Sequence, residues 1–390
     1  MIHRLEQSIG WAREFLTVPP WGRTARRTPK RLCNLYRNRW EHWRGHTSLR
    51  SYPIKLIVEP TNVCNLQCPY CFTGDGQTGR ERSTMSLALY QKMLDELGDY
   101  LFEVEAFNWG EPLLSRHIYT MVADAAARGI ATTVNTNFSL PFDAEKAERL
   151  VRSGLSALRV SIDGARQETY EKYRVGGKLS TVLANCGLVI AAKRQLGLET
   201  PQLIWEYHVF PHNVGDVEDA RAIAVRLGME FLPFKGQVPG EEWGMGDGWH
   251  FCHEPRPMPC VSLWAIAVVH NDGGVAPCNG TFYREDDLGR LAIRPGELGA
   301  ASFREVWNGP RFQAGRRFFS SRRGSAEERE IVCFNCPNTR SYEEWMKHRI
   351  RGGAPESFRI RYGTNEIWNY FWNRRPASAR TPLRAGARRA

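Results

Sequence analysis

The stretch Ile54-Lys55-Leu56-Ile57-Val58-Glu59-Pro60-Thr61-Asn62-Val63-Cys64-Asn65-Leu66-Gln67-Cys68-Pro69-Tyr70-Cys71 decides how this chain reads. Ile54–Val58 is an apolar run of strand length, and it leads directly into a loop with three cysteines. Three thiolates hold three irons of a cubic iron–sulfur cluster, where a closed cage needs four. The fourth iron is left open to a small ligand, as the open position of a catalytic metal site is. Zinc wants a fourth Cys or His at knuckle spacing, and neither His117 nor His208 stands there.

Downstream the chain alternates short β-rich runs with longer helical ones. Helical periodicity covers Ser86–Leu97, and a strand, Phe102–Phe107, ends at Asn108-Trp109-Gly110-Glu111-Pro112. Helices are expected over Ile118–Arg128, Asp143–Ser153, Ser180–Arg194 and Val217–Leu227. Strands are expected over Ala131–Val134, Leu158–Ile162, Leu203–Val209 and Glu230–Pro233. Six β/α units imply an α/β fold with a parallel sheet and outer helices.

Each polar cluster follows a strand: the cysteines, then Gly110-Glu111-Pro112, Asn135-Thr136-Asn137 and Ser161-Ile162-Asp163-Gly164. In a β/α barrel such loops line the catalytic mouth. A doubly wound sheet also gathers loops at its carboxyl edge, so the loops alone leave both open. Taken singly, Asn137 or Ser161 reads equally well as a cap or turn residue.

After Gly236 the rhythm changes to a stretch rich in Gly, Pro, Trp and His. Short strands follow, with a turn at Asn271-Asp272-Gly273-Gly274 and four cysteines, Cys260, Cys278, Cys333 and Cys336. Four thiolates close a cage, and on chemistry alone zinc and iron–sulfur both stay open. The expected division is a basic extension over 1–51, a barrel over 52–236, a small cysteine-rich α+β domain over 237–340 and a basic tail over 341–390.

The spacing Cys-x3-Cys-x2-Cys, with Tyr70 before the last cysteine, resembles the motif of the radical S-adenosylmethionine (SAM) superfamily. The likeness extends over roughly residues 52–236 and implies a partial (β/α)6 TIM-type barrel. It implies that Cys64, Cys68 and Cys71 hold a 4Fe-4S cluster whose open iron takes SAM. Trp109-Gly110-Glu111-Pro112 is similar to the Gly-Gly-Glu-Pro loop that receives the methionine amino group, with Trp109 in place of the first glycine. By the same resemblance Tyr70, Gly110, Glu111, Pro112, Asn137, Ser161, Asp163 and Arg174 are SAM contacts. Arg174 would meet the SAM carboxylate, and a planar guanidinium fork suits two oxygens.

Cys260, Cys278, Cys333 and Cys336, with Gly273 between the first two, resemble the SPASM and twitch auxiliary domains. Full SPASM domains carry seven cysteines; four here imply one auxiliary 4Fe-4S cluster with four protein ligands. The resemblance then implies reductive SAM cleavage to a 5′-deoxyadenosyl radical, hydrogen abstraction from a substrate carbon, and a net oxidation of dehydrogenase type. A small hydroxylated or sugar-derived substrate is expected, with peptide maturation or epimerisation as alternatives. Glu206 and His208 are candidates for proton transfer, and Cys252 for donating a hydrogen atom or proton. Cys186, on a helix among Leu183, Leu188 and Ile190, reads as core.

Ten cysteines without an export pattern point to reduced thiols and the cytoplasm. No apolar stretch reaches the roughly 18 residues that span a bilayer. The net charge of +11 is uneven: residues 1–50 carry 11 Lys+Arg against 3 acids, and residues 340–390 carry 12 against 4. Such ends read first as solvated extensions, and second as surfaces for an anionic partner or membrane. A flavodoxin- or ferredoxin-type electron donor is the expected protein partner. The rival of another class is a non-catalytic zinc protein whose basic tails bind nucleic acid.

Overall fold

The computed structural model describes residues 24–76, 79–236, 261–321 and 330–335. Among the described residues, five β/α units and a sixth strand appear in the order expected. The strands are β1 Lys55–Val58, β2 Glu103–Ala106, β3 Ala131–Thr136, β4 Ala157–Ser161, β5 Gln202–Val209 and β6 Glu230–Lys235. Every neighbouring pair among them is parallel, beginning with Lys55 opposite Glu103. The helices are α1 Pro29–Arg44 ahead of the barrel, then α2 Leu87–Leu97, α3 Ile118–Ala127, α4 Ala144–Arg152, α5 Gln167–Tyr173, α6 Leu179–Leu196 and α7 Val217–Leu227.

Alternation along the strands sorts the side chains onto two faces. Leu56, Val58, Val104, Val134, Leu158, Val160 and Trp205 share one core with Met93, Met121, Leu150, Val182 and Cys186 of the helices, and Cys186 is fully buried as expected. Each such aliphatic side chain stabilises the fold by roughly 1.5–3 kcal/mol on burial. The opposite face is polar. Lys55 bridges Glu103 at 3.2 Å and Glu105 at 2.7 Å. Arg159 lies 3.4 Å from Glu206 and 3.8 Å from Glu105, while Asn135 donates to Glu206.

The basic first 50 residues, expected as a solvated extension, are docked as far as they are described. Helix α1 starts at Thr28, whose side chain accepts from Arg31 N, and ends at Gly45 in the left-handed conformation. Buried Arg31 donates to four carbonyls, those of Arg26, Gly98, Arg128 and Gly129. Asn38 bonds Ser51, Tyr52 and the carbonyl of Trp264. Leu35 packs with Ile54, Phe102 and Ala131 at the amino ends of β1, β2 and β3, so α1 closes that end. Charge counting missed this because the arginine is satisfied by carbonyls, not by acids. The outer side of α1 leaves Trp40 and Trp43 more than two-fifths exposed.

The cysteine-rich module does not begin a new sheet. A short helix α8, Ser262–Ala265, leads into β7, Ile266–Val269, which pairs in parallel with β1. Strands β8 Gly274–Ala276 and β9 Gly289–Arg290 follow antiparallel, giving a nine-stranded order β6-β5-β4-β3-β2-β1-β7-β8-β9. Gly273, in the expected turn, has φ +82°, which a side chain would strain. A small ribbon of β10 Ala292–Arg294 and β11 Glu297–Leu298 precedes helices α9 Phe303–Trp307 and α10 Pro310–Ser321. Strand β6 forms one sheet edge and contains Pro233; β9, two residues long, forms the other.

Candidate active site

The cysteine loop leaves β1 through Glu59-Pro60-Thr61 and turns sharply. Tyr70 has φ 60°, a left-handed conformation uncommon outside glycine, set between Cys68 and Cys71. A side chain at Gly74 would lie 2.7 Å from the backbone of Cys68, so the loop folds back on itself at the one residue type that fits. Cys68 is buried; Cys64 and Cys71 are partly so. Burial pushes the thiols of Cys64 and Cys68 up to about 11, and that of Cys71 upward. Their protons leave when a positive metal centre takes the sulfurs.

Nitrogen donors surround these sulfurs. Asn137 Nδ2 lies 3.7 Å from Cys64 Sγ, Leu66 N 3.5 Å from the same atom, and Arg174 Nη1 3.9 Å from Cys68 Sγ. Such donors suit anionic sulfur. Among the described residues no three His, Cys, Asp or Glu side chains close on a single ion. A cubane takes one thiolate per iron, so this donor set fits a cluster.

The loop after β2 is clamped onto the cysteine loop. A Cβ at Gly110 would sit 2.0 Å from the carbonyl oxygen of Thr61, and Glu111 N donates to Val63 O at 2.8 Å. The Glu111 carboxylate accepts from Thr136 Oγ1 at 2.7 Å, Asn137 N at 2.8 Å and Leu113 N at 3.0 Å. Burial nevertheless outweighs these bonds and raises it to about 7. Pro112 is buried and opens a short 3-10 turn, Pro112–Leu114.

After β4, Asp163 is fully buried and receives Arg174 Nε at 2.6 Å and His208 N at 2.6 Å, with His208 Nδ1 at 3.1 Å. Burial alone would raise its pKa; Arg174 and His208 outweigh burial and hold the carboxyl down at about 2. Ser161 donates to Asn135 Oδ1 at 2.9 Å. Glu206 and His208 stand two residues apart on one face of β5, Glu206 against Asn135 and Arg159 and His208 against Asp163. Tyr70 packs against the edge of the core.

Thus Cys64, Cys68, Cys71, Gly110, Glu111, Asn137, Asp163, Arg174 and His208 are joined by direct contacts or short backbone steps. Cys278 is the second residue after β8, and Cys333 is buried in the 3-10 turn Val332–Asn335. Cys252, Cys260 and Cys336 lie outside the described residues.

Several residues here carry no sequence signal. Glu59 Oε1 lies 3.3 Å from Trp109 N, and its Oε2 accepts from Asn271 N at 3.3 Å and faces His270 Nδ1 at 3.4 Å. Buried Arg80 pairs with Asp272 at 2.9 Å and with Asp287, and donates to the carbonyls of Phe282 and Tyr283. Trp109 Nε1 donates to Thr281 O at 2.8 Å. An acid directly after an apolar strand was the one available hint, at Glu59.

Comparison with known proteins agrees with this geometry. The radical SAM superfamily model matches residues 58–197, and the SPASM model, an iron–sulfur cluster-binding domain, matches residues 260–337. Mycofactocin maturase MftC of Mycobacterium ulcerans is 28% identical over 217 residues, 55% of each chain. The matched part thus spans about half the length of that relative. PqqA peptide cyclase of Gluconobacter oxydans is 25% identical over 264 residues, 60% of this chain and 72% of that protein. The crystal structure of Streptococcus suis SuiB bound to S-adenosylmethionine superposes with a TM-score of 0.54 at 14% identity, over 74% of this chain and 73% of that one. At that identity the likeness is one of fold.

Proposed function

Because this chain belongs to the radical SAM superfamily and carries a SPASM domain, binding a 4Fe-4S cluster and SAM, we propose that it oxidises a substrate carbon by hydrogen abstraction. When bound, cluster and SAM supply one-electron cleavage of the sulfonium and a radical that removes hydrogen from an unactivated carbon. The observation that carries the proposal is the meeting of the cysteine loop with Glu111, Asn137 and the Asp163–Arg174 pair at the carboxyl ends of β1 to β4.

In this reading Glu111 receives the SAM ammonium, since a positive group restores the charge that burial disfavours. Arg174 faces the SAM carboxylate with its remaining N–H groups while Asp163 fixes the guanidinium plane. Ser161 and Asn137 orient the nucleoside side. Phe72, Trp109, Phe282 and Tyr283 pack together beside Cys71 and keep water out. Cys260, Cys278, Cys333 and Cys336 would hold an auxiliary 4Fe-4S cluster, which would supply an acceptor for the substrate's electron. Glu206 or His208 takes the proton.

The polar barrel face of Asn135, Arg159, Ser161 and Glu206 supports a small hydroxylated or sugar-derived substrate. The likeness to PqqA peptide cyclase favours a second reading, a peptide substrate. The electron donor is proposed to be of flavodoxin or ferredoxin type. The basic ends, with Trp40 and Trp43 exposed on α1, are proposed to meet an anionic surface. Among the described residues no helix is long and apolar enough to cross a membrane.

The test is anaerobic purification and reconstitution, followed by iron and sulfide analysis and a 5′-deoxyadenosine assay under strong reductant. About eight irons from two cubanes, with 5′-deoxyadenosine lost in Cys68→Ala, is the expected result. Zinc in place of iron, without SAM cleavage, overturns it. Deuterated sugars and deuterated peptides then separate the substrate readings by which one passes deuterium into 5′-deoxyadenosine.

A further inference from the structure

We propose that Trp109 couples the turn at Cys278 to the loop that holds the SAM amino group, so that the state of the second cysteine site sets SAM affinity. The inference rests on the functional reading above and adds a regulated link between its two sites.

The contacts run unbroken from one site to the other. Thr281 N and Oγ1 both reach the carbonyl oxygen of Cys278, at 3.4 and 2.8 Å, which closes the turn that this cysteine begins. The carbonyl of Thr281 accepts Trp109 Nε1 at 2.8 Å. The indole meets Phe72, the neighbour of Cys71, edge-on with ring centroids 5.0 Å apart, and Phe282 at 5.7 Å. Phe72 in turn stacks on Phe282 at 5.0 Å with planes only 13° apart. At its backbone, Trp109 N points to Glu59 Oε1 at 3.3 Å.

The next two residues have no slack. Gly110 is wedged against the carbonyl of Thr61, where even a methyl group would lie 2.0 Å away, and Glu111 N is pinned to Val63 O beside Cys64. Close-packed groups of this kind shift together instead of deforming. A displacement of the Cys278 turn therefore pulls on the indole, and the indole pulls on Gly110 and Glu111. The superfamily's Gly-Gly-Glu-Pro loop has no side chain at this position and transmits nothing by this route. Coupling of this kind is reciprocal: SAM must also steady the Cys278 site.

The experiment measures SAM binding by calorimetry on the anaerobically reconstituted full chain, with Trp109→Phe, Cys278→Ala and the double variant. Trp109→Phe keeps an aromatic ring at the position while removing the Nε1 donor and part of the indole's volume. Cys278→Ala is expected to weaken SAM about 5- to 20-fold in the unsubstituted background, the ordinary range for coupled sites. In the Trp109→Phe background the same change should weaken SAM less than about twofold. Thr281→Val, which removes the shorter Oγ1 tie to Cys278 and leaves the longer N–H one and the indole in place, should shift SAM affinity in the same direction as Trp109→Phe. The SAM-induced change in the electron paramagnetic resonance of the first cluster should shift in all three single variants alike.

Multiplicative losses in the double variant, or SAM affinity untouched by Trp109→Phe, overturn the coupling. An unsubstituted protein that binds no SAM overturns the functional reading itself, which distinguishes the two failures.

Discussion

Arg174 donates through Nε to Oδ2 of Asp163 at 2.6 Å, and the carboxylate it meets is wholly shielded from solvent. Neither residue is replaceable alone, because loss of Arg174 leaves buried Asp163 with His208 as its main partner, and loss of Asp163 leaves Arg174 without its carboxylate. Arg174→Met should cost about 3–5 kcal/mol of stability, as breaking one half of a buried pair does. It should also abolish SAM binding. Denaturant midpoints and calorimetry check the two effects separately. Since the Asp163 carboxyl is held down at about 2, its stabilisation is complete above the ordinary carboxylate range and fades as pH falls towards 2.

Glu111 behaves in the opposite sense. Its folded value of about 7 lies above the ordinary one, so its contribution is intact below pH 4.5 and is lost as pH rises through 7. Ligand-free protein should lose roughly 3 kcal/mol across that window, from 1.36 kcal/mol per unit. Glu111→Gln should flatten the loss. SAM affinity should rise over the same interval in the unsubstituted protein, because its ammonium favours the ionised form. Urea midpoints and calorimetric titration at pH 5, 6, 7 and 8 test both.

Gly110→Ala forces a methyl group onto the Thr61 carbonyl. The loop must move away from the cysteines, so SAM affinity should fall at least about tenfold, equivalent to 1.4 kcal/mol. Iron content should stay unchanged, since Cys64, Cys68 and Cys71 are untouched. Iron analysis beside calorimetry distinguishes this from loss of the cluster.

Arg80 ties the segment after the cysteine loop to Asp272 and Asp287 of the second module. Arg80→Met leaves the two buried carboxylates with the partly exposed Arg290 as their remaining cation and should destabilise by up to about 3–5 kcal/mol. Adding Asp287→Asn should recover part of that loss. A double-mutant cycle in urea measures the recovery.

The strands and helices of the barrel were legible because each carries its own period, and Lys55–Val58 or Ala144–Arg152 needs no distant partner to be recognised. The cysteine spacing and the Gly110-Glu111-Pro112 run were legible for the same reason. What escaped depends on contacts between remote positions. Nothing local to Arg80 announces Asp272 and Asp287, and nothing in Trp109 announces the carbonyl of Thr281. The parallel pairing of β7 with β1 was hidden as well, since four apolar residues do not state which neighbour they will choose. Helix α1 was misjudged because Arg31 counts as surface charge until its carbonyl partners are known.

The two borders of the nine-stranded sheet have a consequence for how molecules meet. Pro233 has no N–H to offer along one border, and β9 ends the other after two residues. Neither border is a template on which a second copy adds strand after strand. Among the described residues both borders of the sheet therefore carry a feature that discourages edge-to-edge addition of a second copy.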